Sequence, residues 1–230
     1  MGALRDDASA CGGYCREGLA ERVPDEESIN STLSFSVVIL LLFSFAFDPS
    51  PDMIAEFGGG LLWMVFAFAG ALIVNRSFAR ELPNDCIDVL VASPASGASL
   101  FLGKAVACFV LLFGIECICL PVFGIFYNIT WWRSLWALLG VLALGTWALA
   151  CVGTFFSALT VNLRLRELML PMLLYPMLIP ALLSVMMLTN TLLTGQALPP
   201  DFSVWLRLLV GFNIMFTTLS VYLAETILVR

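Results

Sequence analysis

Six charged side chains, Arg76, Arg80, Glu81, Asp85, Asp88 and Lys104, gather between residues 75 and 104, in the only long polar interruption between two strongly apolar blocks. Asn84 stands where its side chain can cap the free amides of a short helix. Asp85 and Asp88 fall in the first turn, where the helix dipole favours acids, and Pro94 ends the segment. Cys86, Ile87, Leu90 and Val91 then share one apolar stripe at helical spacing, with Asn84, Asp85 and Asp88 opposite. At about 1.5 Å per residue such a helix is about 12 Å long. That is too short to cross a bilayer and long enough to fill a groove on a partner. The chemistry it offers is mechanical: a coupling helix that takes force from a cytosolic subunit through Glu81, Asp85, Cys86, Ile87, Asp88, Leu90 and Val91. The plainer reading is a solvated loop with a single turn.

The remaining reactive side chains exclude more than they suggest. The chain has no histidine, so it cannot offer an imidazole as a haem ligand, a zinc ligand or a general base. Its cysteines, Cys11, Cys15, Cys86, Cys108, Cys117, Cys119 and Cys151, make no C-x-x-C pair. Most read as small apolar residues of membrane helices. Cys11 and Cys15 could meet across one turn but have no further ligands, so no metal site is expected. The run Leu102-Gly103-Lys104-Ala105 resembles the end of a phosphate-binding loop, but Ala98 replaces the first glycine and Ala105 the magnesium-binding hydroxyl. No ATP site is expected, and if ATP drives this protein another chain binds it. Lys104 is then an anchor that snorkels to the cytoplasmic interface.

Glu116 lies within an apolar run, where a carboxylate near a helix centre costs roughly 2.5 to 3.5 kcal/mol. It should therefore face other helices, water or a partner. It is either satisfied by a helix hydroxyl or backbone group, or it touches a substrate or a partner helix. Arg164, Arg166 and Glu167 read as topology determinants in a second inward loop, with Glu167 also suited to the dipole of the helix it begins. Trp131, Trp132 and Trp136 read as interfacial anchors, Trp63 is expected near one interface, and Gly58, Gly59 and Gly60 permit close backbone approach or a kink.

The elements that position these residues are membrane spans. With 60% hydrophobic and 12% charged residues, the chain is far from the roughly 25% charged content of soluble domains. The spacing predicts an all-α polytopic membrane protein with two parts. Residues 1–30 are expected to form an acidic cytoplasmic segment, with an interfacial helix over residues 14–29, and residues 31–230 a six-helix transmembrane domain. The spans are expected at about 31–47, 57–74, 105–126, 134–160, 168–189 and 203–229. Pro171, Pro176 and Pro180 predict a kinked fifth helix buried in the bundle. Arg16, Arg22, Arg76, Arg80, Lys104, Arg164, Arg166 and Arg230 fall on one face, against Arg133 and Arg207 on the other. The positive-inside rule makes the first face, with both termini, cytoplasmic.

An ordered set of segments carries a resemblance. FSFAFDPS at 43–50, GGGLLWMVFAFAG at 58–70, NRSFARE at 75–81, VLVASPASGASLFLGK at 89–104, IECICLPVFGIFYN at 115–128 and RELMLPMLLYPMLIP at 166–180 together resemble the CcmB family, over about residues 14–229. CcmB, or haem exporter protein B, is the membrane subunit of the cytochrome c maturation ABC complex. The resemblance implies an ABC-2-like permease of the bacterial inner membrane, without ATPase activity of its own. It implies a separate ATPase, CcmA, the membrane proteins CcmC and CcmD, the haem chaperone CcmE, and two copies of this chain per complex. ATP hydrolysis would then be linked to haem export or to release of the haem-loaded chaperone. Haem would be at most a transient cargo, with no cofactor bound stably, and the missing histidine agrees with a transient porphyrin path or with none. Two alternatives stay open: an exporter permease for a lipid, glycan or drug, and a non-transporting assembly scaffold.

Overall fold

The computed structural model describes residues 26–46, 50–79, 97–127, 129, 134–160, 166–194 and 199–228. These residues form six helices: α1 (Glu26–Ala46), α2 (Pro51–Ala79), α3 (Gly97–Phe126), α4 (Leu135–Thr160), α5 (Arg166–Thr194) and α6 (Phe202–Leu228). Each contains a stretch long and apolar enough to cross a membrane, and the described residues include no strand. At about 1.5 Å per residue, the 26 residues of α4 reach about 39 Å, more than the roughly 30 Å hydrocarbon core. The expected six-span, all-α architecture is the one observed. The interfacial helix expected over residues 14–29 lies almost wholly outside the described residues, and the coupling segment at 81–91 lies entirely outside them.

Several helices run past their expected apolar limits. The second begins at Pro51 rather than near residue 57, because proline at the first helical position gives up an amide that has no helical partner. The carbonyl of Ser50 accepts the Ile54 amide at 3.0 Å and starts the ladder. The third begins at Gly97 and carries Lys104 inside the helix. The fifth continues to Thr194, where Thr191 and Thr194 return their hydroxyls to the carbonyls of Met187 and Asn190 at 2.9 and 3.1 Å. Charged and hydroxyl residues mark the end of the apolar run, but the helical ladder continues into the interface.

Helix α4 is the hub. It packs against α2, α3, α5 and α6, while α1 lies at the edge against α2 and α3. The inward faces of α4 are built from small residues, among them Gly145, Thr146, Ala148, Ala150, Cys151, Gly153, Thr154 and Ser157. Helices in lipid associate through close packing and polar contacts rather than hydrophobic exclusion, so small residues at a hub allow several neighbours to approach. Gly153, for example, receives Val74 of α2 so closely that a β-carbon would lie 2.8 Å from a valine methyl.

Helix α5 departs from expectation. It is helical throughout, and only one face is enclosed, through Leu170, Leu174, Leu178, Ala181, Val185 and Leu188. Pro176 and Pro180 lie on the exposed face, beside Met172, Met177 and Leu183. A proline ring on the outer face removes an amide there without disturbing the inward packing, so the helix is half enclosed rather than buried.

Candidate functional site

Three consecutive residues of α4 make contact with three different neighbours near mid-membrane. The carbonyl of Leu144 accepts a hydrogen bond from Asn213 Nδ2 of α6 at 3.1 Å. Gly145 faces the indole of Trp63 on α2, and a β-carbon at this position would lie 2.1 Å from the ring atom Cη2. The hydroxyl of Thr146 meets Oε2 of Glu116 on α3. Residues 100° apart on a helix point to different neighbours, so one turn of α4 fixes α6, α2 and α3 together.

Trp63 extends this layer to a fourth helix. It is fully buried, packs edge-on against Phe66 at 5.7 Å, and donates its Nε1 proton to Thr189 Oγ1 of α5 at 2.9 Å. Closer to the start of α2, Asn190 clasps the same pair of helices. Its Oδ1 accepts the Gly59 amide, and its Nδ2 donates to the Glu56 carbonyl at 3.0 Å. Gly59 is required for this approach, since a β-carbon there would lie 2.7 Å from both Asn190 Oδ1 and the Met186 carbonyl. On the other flank of α4, Trp147 donates to Thr217 of α6 at 3.0 Å, and the Cys151 sulfur lies 3.5 Å from the same hydroxyl. Phe109 of α3 packs edge-on against Trp147 at 5.6 Å and stacks with Phe113.

Glu116 is the residue of this layer to which the sequence assigned a candidate contact with substrate or a partner helix. It is 1% exposed and faces α4, away from the lipid side, with Oε2 on Thr146 and Oε1 without a hydrogen-bond partner. Asn213 is similar, because its Oδ1 is also buried without a partner. Among the other sequence-derived site residues, Arg166 and Glu167 fall in the first turn of α5, which places Glu167 where an acid suits the dipole. Arg164 and the docking set Glu81, Asp85, Cys86, Ile87, Asp88, Leu90 and Val91 lie outside the described residues.

Sequence reasoning passed over Gly145, Thr146, Thr189, Asn190 and Asn213, and Trp63, expected near an interface, is instead buried between helices. Two of them carried a usable signal, since Asn190 and Asn213 are amides inside or beside apolar runs, where polar side chains bond across helices. The layer as a whole offers a carboxyl, hydroxyls, two amides and indole donors, most of them buried between helices. It can hold helices in register and bind a proton or a single hydrogen-bonding group.

Comparison with known proteins adds an independent finding. A family model described as CcmB protein matches residues 18–229. The chain is 30% identical to the Heme exporter protein B of Rhodobacter capsulatus over 141 residues, which are 61% of this chain and 64% of that protein. It is 28% identical to the protein of the same name from Paracoccus denitrificans, over 61% of this chain and 64% of that protein. It is also 28% identical to the one from Haemophilus influenzae, over 63% and 65% respectively. The chain thus matches a little under two thirds of the length of each relative.

Proposed function

The chain belongs to the CcmB protein family, and from that premise we propose that it is the permease subunit of an ABC-type complex of cytochrome c maturation. In this reading it couples ATP hydrolysis by a separate subunit to haem export or to release of a haem-loaded chaperone. The family match over residues 18–229 carries the proposal. The six membrane-capable helices and the Heme exporter protein B relatives support it. ATP would be bound by a CcmA-type partner, with CcmC, CcmD and the chaperone CcmE completing the assembly and two copies of this chain facing each other. The chain would sit in the bacterial inner membrane with both termini in the cytoplasm, an orientation that the distribution of arginine and lysine between loops supports.

The division of labour follows from the residues. Arg164 and Arg166 hold the second cytoplasmic loop inside, and the segment from Glu81 to Val91 docks on the ATPase. Movement of that segment pulls on α2 and α3, which flank it in sequence. The polar layer on α4 then passes the displacement on, because Trp63 ties α2 to α5 and Thr146 ties α4 to α3.

Deleting the gene and staining membranes for covalently bound haem tests the cargo. The expected result is loss of all c-type cytochromes, restored by the gene on a plasmid. A deletion strain with normal c-type cytochromes that accumulates a lipid, glycan or drug instead would assign a different exporter to this chain.

A further inference from the structure

The Thr146 hydroxyl has one hydrogen and two oxygens within reach. Its Oγ1 lies 2.7 Å from the carbonyl of Leu142, one turn back on α4, and is also hydrogen-bonded with Glu116 Oε2 on α3. A hydroxyl can donate one hydrogen bond and accept two. If Thr146 donates to Leu142, the common arrangement for a threonine within a helix, Glu116 must supply the hydrogen of the other bond. If Thr146 instead donates to Glu116, the acid is either charged, with Oε1 bare in the core, or holds its proton on an Oε1 that has no acceptor.

The surroundings decide between these arrangements. Helix α3 packs against α1, α2, α4 and α6. The titratable or charged residues these helices carry are Glu26 and Glu27 on α1, Asp52, Glu56 and Arg76 on α2, Cys151 on α4, and Arg207, Tyr222 and Glu225 on α6; Arg76 stands thirteen positions along α2 from Trp63, about 20 Å. Glu56, Arg207 and Tyr222 are exposed, and Cys151 is engaged with Thr217. On α3 itself, Lys104 is twelve positions away, about 18 Å along the axis. Cys108, Cys117, Cys119 and Tyr127 bring no positive charge. Among the described side chains, the core that holds Oε1 therefore has no cation to balance a carboxylate, and an unbalanced buried charge is costly.

We infer that Glu116 and Thr146 form a proton-binding site between α3 and α4. The proton sits on Glu116 Oε2 and is donated to Thr146 Oγ1, and the threonine hydrogen goes to the Leu142 carbonyl. Loss of the proton to water turns the threonine hydrogen from the Leu142 carbonyl towards the carboxylate and leaves a net negative charge in the bundle. The site belongs to the α3–α4 contact, so it holds whatever cargo the complex serves.

Infrared spectroscopy of the full-length chain in lipid vesicles at neutral pH tests this. The expected result is a neutral-carboxyl C=O band that exchanges slowly in heavy water and is absent from Glu116→Gln. The glutamine amide can still donate to Thr146, so this variant should keep its oligomeric state and thermal stability. The band should shift in Thr146→Val, which removes the acceptor, and return in Thr146→Ser. Identical spectra for wild type and Glu116→Gln in the neutral-carboxyl region would overturn the proposal. So would a Glu116 band that is unchanged in Thr146→Val.

Discussion

Replacing Gly145 by valine is expected to cost about 3 kcal/mol, the upper end of the range for overpacking a filled core. For a chain of this size that lowers the melting temperature by roughly 10 °C. A β-carbon alone would stand 2.1 Å from Cη2 of Trp63 and 2.8 Å from two more ring atoms. The indole cannot retreat freely, because its far side is fully buried and its Nε1 is tied to Thr189. The hydrogen bond itself is the smaller effect, since interhelical bonds within membranes average about 0.6 kcal/mol. Thr189→Val should therefore be several times milder than Gly145→Val. Gly140→Val is the matched control on the same helix, because nothing lies within 4 Å of a β-carbon at that position. It should leave the melting curve of detergent-purified protein unchanged. Adding Trp63→Leu to Gly145→Val should recover part of the loss, as expected for two residues that couple only through contact. Equal melting temperatures for Gly145→Val and Gly140→Val would show that α2 and α4 are not packed through Trp63.

The six spans were legible in the sequence because an uninterrupted apolar run of about 20 residues has almost no other use. Their ends were not, since a helix continues for as long as its amides find carbonyls, and Pro51, Lys104 and Thr194 all lie in helix beyond the expected limits. The prolines of α5 misled for a related reason. Proline count marks lost amides but not the face on which they fall, and Pro176 and Pro180 fall on the outside. Glu116 stood out because a carboxyl in an apolar run is expensive. Its partner did not, because Thr146 sits thirty residues away on another helix and nothing local distinguishes it from Thr154 or Thr160. Gly145 was equally silent. Only the position of Trp63 on a different helix makes its missing side chain matter.

Leu90→Asp is expected to abolish cytochrome c maturation while leaving the chain inserted in the membrane. Helical spacing in the sequence would put Leu90 on one apolar stripe with Cys86, Ile87 and Val91, in the segment proposed to dock on the ATPase. An unpaired carboxylate pressed into an apolar groove costs at least about 3 kcal/mol, which is about 100-fold in affinity. Haem-stained c-type cytochromes should fall to near the level of the deletion strain, with normal amounts of this chain in the membrane fraction. Asp88→Asn, on the opposite side of the same stripe, should have much less effect, because a solvated surface charge contributes little. Full maturation in the Leu90→Asp strain would mean that this stripe does not meet the ATPase, and would favour a solvated loop.

The two halves of the account meet in the segment between α2 and α3. In the proposed function that segment takes force from an ATP-binding neighbour, and the polar layer on α4 carries that force across the bundle. Purifying the tagged chain from native membranes in mild detergent, identifying what comes with it and recording the visible absorption of the sample tests this in one step. The account predicts an ATP-binding subunit in stoichiometric amounts, together with other cytochrome-assembly membrane proteins, and no haem absorption that survives washing. Recovery of this chain without any nucleotide-binding partner would contradict it.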